Sequence, residues 1–155
     1  MGAFKKPVTK NETSAQAVAS VATILDRESR STIEGWIERV NADQNLRAIE
    51  LDDKTRSCHL PQLFKDLVHR LRNPLPLGAR GERSKSAQAH GLTRRKQGYS
   101  AAMLIEESRM LQVSIFDTLR KNDNGLDFNA LLPDVMVIAD EVDSQLVEAM
   151  TSYIG

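Results

Sequence analysis

The chain has 155 residues, of which 41% are hydrophobic and 27% are charged, a size and composition typical of one globular domain. Lysine plus arginine equals aspartate plus glutamate, at 21 each, so the net charge is zero and gives no overall attraction to nucleic acid. The only cysteine, Cys58, excludes an intramolecular disulfide, and no apolar run approaches the roughly 20 residues of a membrane span, so we expect a cytoplasmic domain without a membrane partner.

The first part of the sequence predicts a tail followed by two helices. Residues 1–12 are polar and are typical of a loose tail. A first helix is predicted over residues 15–30 from its apolar face. Ser31 precedes a second helix and has Glu34 three residues later, which is the capping-box pattern. Trp36, the only tryptophan, is predicted to anchor the core of that helix.

The middle of the chain is less regular. Residues 46–51 fit either a helical turn or extended chain. Asp52 or Asp53 can cap a short turn, and Pro61 suits the first turn of a longer helix. That helix ends before residues 73–81, where two prolines and two glycines mark a loop. We interpret the loop as internal to a single domain, residues 13–155, because neither side of it has enough apolar residues for its own core.

Two helices and a reversal follow this loop. Ser84 or Ser86 can cap the first helix, which is predicted to end at Gly98. Ser100 can cap the second helix, which is predicted to run to about Asn122 and is the most hydrophobic in the chain. No segment alternates apolar and polar residues for long enough to be a strand. The sequence therefore predicts an all-α antiparallel bundle of about six helices.

The end of the chain predicts a short helix over residues 128–132 and a final helix, 134–154, opened by Pro133. Apolar residues recur in the final helix at spacings of three and four, so they form one stripe along one side. We predict that this stripe carries a signal out of the domain or meets a second copy; it consists of Val135, Ile138, Val142, Leu146, Met150 and Tyr153.

A polar residue inside the most hydrophobic helix gives the main functional hypothesis. Glu107 lies between two apolar strips, where an unpaired carboxylate would be costly to bury. If the chain reverses at Gly98 and Tyr99, His90 lies about as far before the reversal as Glu107 lies after it, with Arg94 nearer the turn. We predict that His90, Arg94, Tyr99 and Glu107 form a buried polar lock or face a small ligand, with the tyrosine hydroxyl at the rim.

Other chemistries find less support in the sequence. Cys58 and His59 are neighbours that would not face each other on a helix, and no nucleophile elbow or phosphate-binding loop is present. The three histidines have no metal-ligand spacing, so no metal site is predicted; His59 and His69 stay as secondary site candidates. Haem held by His69 or His90 remains an alternative. Basic residues between 70 and 96 lack interleaved aromatics, so no nucleic acid is expected.

A set of single positions resembles the N-terminal domain of the RsbT co-antagonist (RsbR-type) stress-signalling proteins, a domain that also heads many bacterial sensor histidine kinases. These positions are His90, Arg94, Gly98, Tyr99, Glu107 and Leu111. The His59-Leu60-Pro61 segment and the helix pair around Trp36 resemble the same family.

The resemblance implies a cytosolic, non-catalytic signal-input domain with an all-helical, globin-like fold that holds no haem. Such domains are commonly homodimers, and a kinase or regulatory module downstream in the same polypeptide reads their state. The final helix, 134–154, would lead to that module. The alternatives are a haem or small-ligand carrier and an oligomerisation scaffold.

Overall fold

A computed structural model describes residues 20–79 and 84–155, and these residues form helices and connecting segments without a β-strand. The predicted tail, residues 1–12, lies outside the described residues. The described helices are α1 (Val21–Arg27), α2 (Ser29–Ala42), α3 (Gln44–Arg47), α4 (Asp53–Arg56), α5 (Leu60–Arg72), α6 (Lys85–Lys96), α7 (Ala101–Lys121) and α8 (Phe128–Ile154), with a 3₁₀ turn at Asp123–Gly125. Six of the α-helices have seven residues or more, so the prediction of an all-α bundle of about six helices is confirmed.

Three predicted helix starts coincide with side-chain caps. The Asp52, Ser84 and Ser100 side chains accept hydrogen bonds from backbone N–H groups in the first turns of α4, α6 and α7. The prediction of one helix over 15–30 is wrong, because Ser20 has an extended conformation and caps a helix that begins at Val21. Residues 15–19 themselves lie outside the described part of the chain.

Ser31 does not cap the second helix, contrary to the prediction. Helix α2 begins two residues earlier, at Ser29, with Glu28 in the N-cap position and no side-chain cap. The Ser31 hydroxyl instead donates to the Glu28 carbonyl oxygen at 3.1 Å. Helices α1 and α2 are therefore separated by one residue, Glu28, and the Ser31 hydroxyl bonds to this residue from within α2.

The final helix is longer than predicted. Helix α8 begins at Phe128 and continues through Pro133, where the sequence predicted a new helix. Asp127 caps the start by accepting from the Asn129 N–H at 3.0 Å. Proline removes one backbone donor, and the helix tolerates this loss near an exposed end where Phe128 is 72% exposed.

One hydrophobic core joins residues from both sides of the loop at 73–79. Trp36 lies in this core, 1% exposed, as predicted. Helix α8 packs against α5, α6 and α7, so its apolar stripe faces inward. Ile138 and Val142 are buried in the domain's own core, so these two positions of the stripe do not present a surface to a second copy. Among the described helices, none combines the length and apolar character that crossing a bilayer requires.

Candidate functional site

The site is centred on Glu107, which lies in the middle of α7 with a side chain that is 3% exposed. Its Oε1 accepts hydrogen bonds from His90 Nε2 at 2.9 Å and from Arg94 Nε at 2.7 Å. Burial alone would raise the pKa of Glu107, but the hydrogen bond from His90 and the positive charge of Arg94 hold the pKa below its usual value. The carboxylate is therefore ionised inside the core.

Arg94 is completely buried, and each of its guanidinium nitrogens donates a hydrogen bond. Nε donates to Glu107, Nη1 donates to Gln97 Oε1 at 2.7 Å, and Nη2 donates to the backbone carbonyl of Arg56. The guanidinium carbon also lies 4.7 Å above the centre of the Tyr99 ring. Arg94 thus holds α6 to α7 and to the end of α4.

Tyr99 lies deeper than predicted. The sequence placed its hydroxyl at the rim, but the residue is 2% exposed and its hydroxyl accepts a hydrogen bond from Arg56 Nη1. Gly98 has a φ of +89°, and this left-handed turn brings the ring inward behind α6. Burial and the nearby Glu107 carboxylate raise the pKa of Tyr99 to about 12, so the hydroxyl stays protonated.

Arg56 and the indole of Trp36 complete the polar surroundings of the lock. Arg56 is 2% exposed and pairs with no carboxylate among the residues that the structure describes; besides Tyr99 it contacts the Ile49 carbonyl oxygen. Trp36 Nε1 donates to the backbone carbonyl of Glu107 at 2.9 Å. Sequence reasoning missed Arg56, which lies in a polar run with no apolar periodicity to indicate burial.

His59 extends the polar lock toward the surface. Its Nδ1 lies 3.3 Å from His90 Nδ1, with the two rings nearly perpendicular at 78° and their centres 5.3 Å apart. Burial, His90 and Arg94 together lower the pKa of His59. The Cys58 thiol lies 3.5 Å from the same Nδ1. The expectation that Cys58 and His59 do not face each other is wrong, because they lie between α4 and α5 rather than within a helix.

His69 has no part in this site. It lies on the exposed side of the last turn of α5, where its Nδ1 lies 3.3 Å from the amide nitrogen of Asn73. Within residues 20–79 and 84–155, no group of three or more histidine, cysteine or carboxylate side chains is arranged to hold a metal ion.

A small cavity of about 30 Å³ lies beside the lock. Its polar lining residues are His90, Glu107, Ser108 and Gln145, and five leucines from α5, α7 and α8 are the largest group among the others. The second carboxylate oxygen, Glu107 Oε2, is buried and has no hydrogen-bond partner in the described part of the chain. A space of this size suits one water molecule. It is far too small for a porphyrin, and both ring nitrogens of His90 already have polar neighbours, so these residues do not fit haem.

The lock is joined to α8 by direct backbone contact. Gly91, the residue after His90, faces Ala149 of α8 so closely that a Cβ on Gly91 would lie 1.9 Å from the Ala149 carbonyl oxygen. At the end of α8, the Tyr153 hydroxyl donates to the Tyr99 carbonyl oxygen at 2.6 Å. Arg95 Nη1 donates to the Tyr153 carbonyl oxygen at 2.8 Å.

The predicted lock residues His90, Arg94, Tyr99 and Glu107 are thus brought together, His59 joins them, and His69 does not. Comparison of the chain with family models, with curated proteins and with solved structures gives no significant match. The resemblance to RsbR-type N-terminal domains, including its globin-like fold, therefore stays an expectation based on a few positions.

Proposed function

We propose that this chain is a non-catalytic signal-input domain, in which the polar lock around Glu107 has two states and α8 carries the difference outward. The resemblance implies that the domain belongs to a cytoplasmic bacterial sensor histidine kinase or stress-signalling regulator. A downstream kinase or regulatory module would then read the position of α8. The proposal rests on the geometry of the lock and its attachment to α8.

The contact between Gly91 and Ala149 carries this proposal. Protein interiors are close-packed and transmit displacement rather than absorb it. Here a backbone next to His90 touches the backbone of α8 without an intervening side chain. Any change in the position of α6 at His90 must therefore move α8 or open a gap. A flexible side chain between the two helices would absorb part of such a movement, and glycine places no side chain there.

The lock itself favours a structural switch over catalysis. Arg94 uses every nitrogen, so its guanidinium has no free group for a substrate. The neighbouring cavity has room for one water molecule and none for an organic substrate. A buried charge network of this kind specifies one packing arrangement, and a change in its charge can favour another.

The outer side of α8 supplies a surface for the output. While its predicted stripe packs inward, other large apolar side chains on the helix are exposed: Phe128, Leu132, Met136, Val147 and Ile154. Exposed apolar residues along one helix favour contact with another helix. We propose this surface for a homodimer or for the downstream module. The same observation supports the oligomerisation scaffold as a second candidate function.

Amide NMR of Glu107→Gln tests whether the lock is coupled to α8. Glutamine keeps the shape of the side chain and removes its charge, so Arg94 loses its only carboxylate partner. We expect the amide signals of residues 145–154 to shift together with those of α6. Glu106→Gln is the matched control, since Glu106 pairs only with exposed Arg109. Shifts confined to α6 and α7 in Glu107→Gln would contradict the proposed function.

A scaffold and a signal-input domain give different results in a second measurement. Sizing by light scattering reports the oligomeric state of wild type and of Met136→Glu, which places a charge on the exposed side of α8. A pure scaffold loses its oligomeric state in Met136→Glu, and its α8 amide signals do not shift in Glu107→Gln. A signal-input domain shows the α8 response to Glu107→Gln whether or not it is dimeric.

A further inference from the structure

We infer that His59 and His90 share a single proton across their facing Nδ1 atoms, and that His59 is the group through which a solvent proton reaches the buried lock. This inference rests on the proposed function, because it names the signal that the site reads as proton concentration. The sequence makes His59 a secondary site candidate, but no sequence feature pairs it with His90, which lies 31 positions away.

The hydrogen-bond directions follow from the ionised carboxylate. Glu107 Oε1 can only accept, so His90 Nε2 must carry a hydrogen and donate it. In neutral His90 the other nitrogen, Nδ1, then has a lone pair and can only accept. His59 Nδ1 lies 3.3 Å away, so a hydrogen bond between the two rings requires His59 Nδ1 to carry the hydrogen, with the Cys58 sulfur, 3.5 Å from the same nitrogen, as a second acceptor. Neutral His59 is held as its Nδ1–H tautomer, which leaves Nε2 as the base that can take up a proton.

One added proton can be taken up without breaking any of these contacts. The proton binds His59 Nε2, the Nδ1–H bond of His59 breaks, and a new N–H bond forms at His90 Nδ1. His59 is then neutral again with its hydrogen on Nε2, and His90 is an imidazolium that donates to both Glu107 and His59. The positive charge ends beside the buried carboxylate, where it is stabilised.

A second proton cannot be accommodated in the same geometry. Both Nδ1 atoms would then carry hydrogens that point at each other over 3.3 Å. The surrounding charges add to this cost: Arg94 on α6 and Arg56 on α4 are buried cations, whereas Glu107 on α7 is the only buried carboxylate of the cluster. The remaining facing groups, the Cys58 thiol and the uncharged α8 side chains around the cavity, supply no negative charge.

The second protonation therefore separates His59 from His90. His59 lies at the N-cap position of α5 and His90 lies on α6, so a separation that includes the backbone moves α5 relative to α6. Because α6 touches α8 at Gly91 and Ala149, this is also the movement that the proposed function requires. The site then has a closed form that holds no more than one extra proton and an open form that holds two.

Nitrogen-15 NMR of the histidine rings tests the first step directly. The chain has three histidines, so His69→Gln removes the signals of the exposed one and leaves His59 and His90 alone. At pH 8.5 (roughly two units above an ordinary histidine pKa), we expect His59 as the Nδ1–H tautomer and His90 as the Nε2–H tautomer. Finding His59 as the Nε2–H tautomer, the form that predominates in free histidine, would overturn the inference.

Titration tests the sharing of one proton. We expect the pair to bind its second proton at least about tenfold more weakly than its first, as two macroscopic steps seen at both rings. In His59→Gln the glutamine amide can still donate to His90 Nδ1, and we expect His90 to titrate in one step. If His59 and His90 each titrate in one step, and each curve is the same in wild type and in the variant that lacks the other histidine, the inference is wrong.

The two proposals can fail separately. If the tautomers and the two titration steps are found but the α8 signals do not move at the second step, the shared proton is supported and the proposed function is wrong. If the α8 signals respond to Glu107→Gln but the histidines titrate independently, the proposed function is supported and the proton is not its signal.

Discussion

Gly91 lies against the backbone of Ala149 so closely that a Cβ at position 91 would lie 1.9 Å from the carbonyl oxygen and 2.9 Å from the Cα of Ala149. Only glycine permits this approach of α6 to α8. The adjacent residue, His90, donates to Glu107, so one turn of α6 touches the buried charge on one side and the final helix on the other.

Gly91→Ala is expected to destabilise the protein by more than the roughly 1–3 kcal/mol of ordinary overpacking, because the new methyl group meets backbone atoms that cannot rotate away. Helix α8 must move away from α6, and the amide signals of residues 145–154 should change or broaden. Chemical denaturation and amide NMR measure both effects.

Gly35→Ala is the matched control for this substitution. Gly35 lies within α2, and the nearest atom to its added Cβ is Arg39 Nη1 at 3.3 Å, the end of a flexible side chain. Alanine favours a helix over glycine by about 0.5–1 kcal/mol, so the control should be neutral or stabilising. Equal losses of stability in the two variants would show that the close approach at Gly91 has no special role.

Glu107→Ala is expected to reduce the free energy of unfolding by about 3–5 kcal/mol, because it leaves the fully buried guanidinium of Arg94 without its carboxylate. Denaturant unfolding followed by Trp36 fluorescence measures the change at the site itself, since the indole donates to the Glu107 carbonyl oxygen. The preceding residue provides a control of the same chemistry: Glu106→Ala breaks an exposed pair with Arg109 and should cost less than about 1 kcal/mol.

The meeting of His90, Arg94 and Glu107 was predictable because a carboxylate between apolar strips demands a partner and the chain reverses at Gly98. The closely packed helical hairpin from which it was predicted is wrong: α6 packs mainly against α8, and the long side chains of His90 and Arg94 reach Glu107 on α7. The membership of His59 was not predictable in the same way. It comes from a separate helix junction, and its approach to His90 depends on how α5 packs, which no local pattern encodes.

The final helix shows a second limit of what apolar periodicity in the sequence can predict. The apolar stripe that includes Ile138 and Val142 was correctly identified as apolar, but a stripe does not reveal whether it faces the domain's own core or a partner. Pro133 was interpreted as a helix start because proline favours the first turn. Its position inside α8 follows instead from the Asp127 cap, which begins the helix earlier.

Tyr153→Phe tests the attachment of the end of α8. The substitution removes only the hydroxyl that donates to the Tyr99 carbonyl oxygen at 2.6 Å. We expect a loss of about 0.5–1.5 kcal/mol in the free energy of unfolding and faster amide exchange in the last turn of α8. Thr151→Val is a control in the same turn, because the Thr151 hydroxyl bonds only within its own helix. Equal exchange rates in the two variants would contradict a special attachment at Tyr153.

The pH dependence of stability should show the lowered pKa of His59. The unfolded chain protonates this histidine near its ordinary pKa of 6.5, whereas burial and the charges of His90 and Arg94 lower its pKa in the folded protein. At His59 the unfolded state thus binds more protons just below pH 6.5, so the contribution of His59 to stability falls as the pH drops through this range. The lowered pKa of Glu107 also makes stability fall as the pH drops, but only below about pH 4.5, the ordinary pKa of this group. Glu141, whose pKa is raised by burial, acts in the opposite direction in that lower range.

The difference in melting temperature between wild type and His59→Gln from pH 8 to 5.5 (a window above the carboxyl range) isolates the contribution of His59. We expect wild type to lose more stability across this window than His59→Gln, which cannot be protonated. The exposed His69 lies at the far end of α5, away from the lock, so His69→Gln should follow the wild-type curve. If His59→Gln and His69→Gln change the slope equally, or if His59→Gln keeps the wild-type slope, the environment of His59 does not disfavour its protonated form, and the contact between His59 and His90 is not maintained in solution.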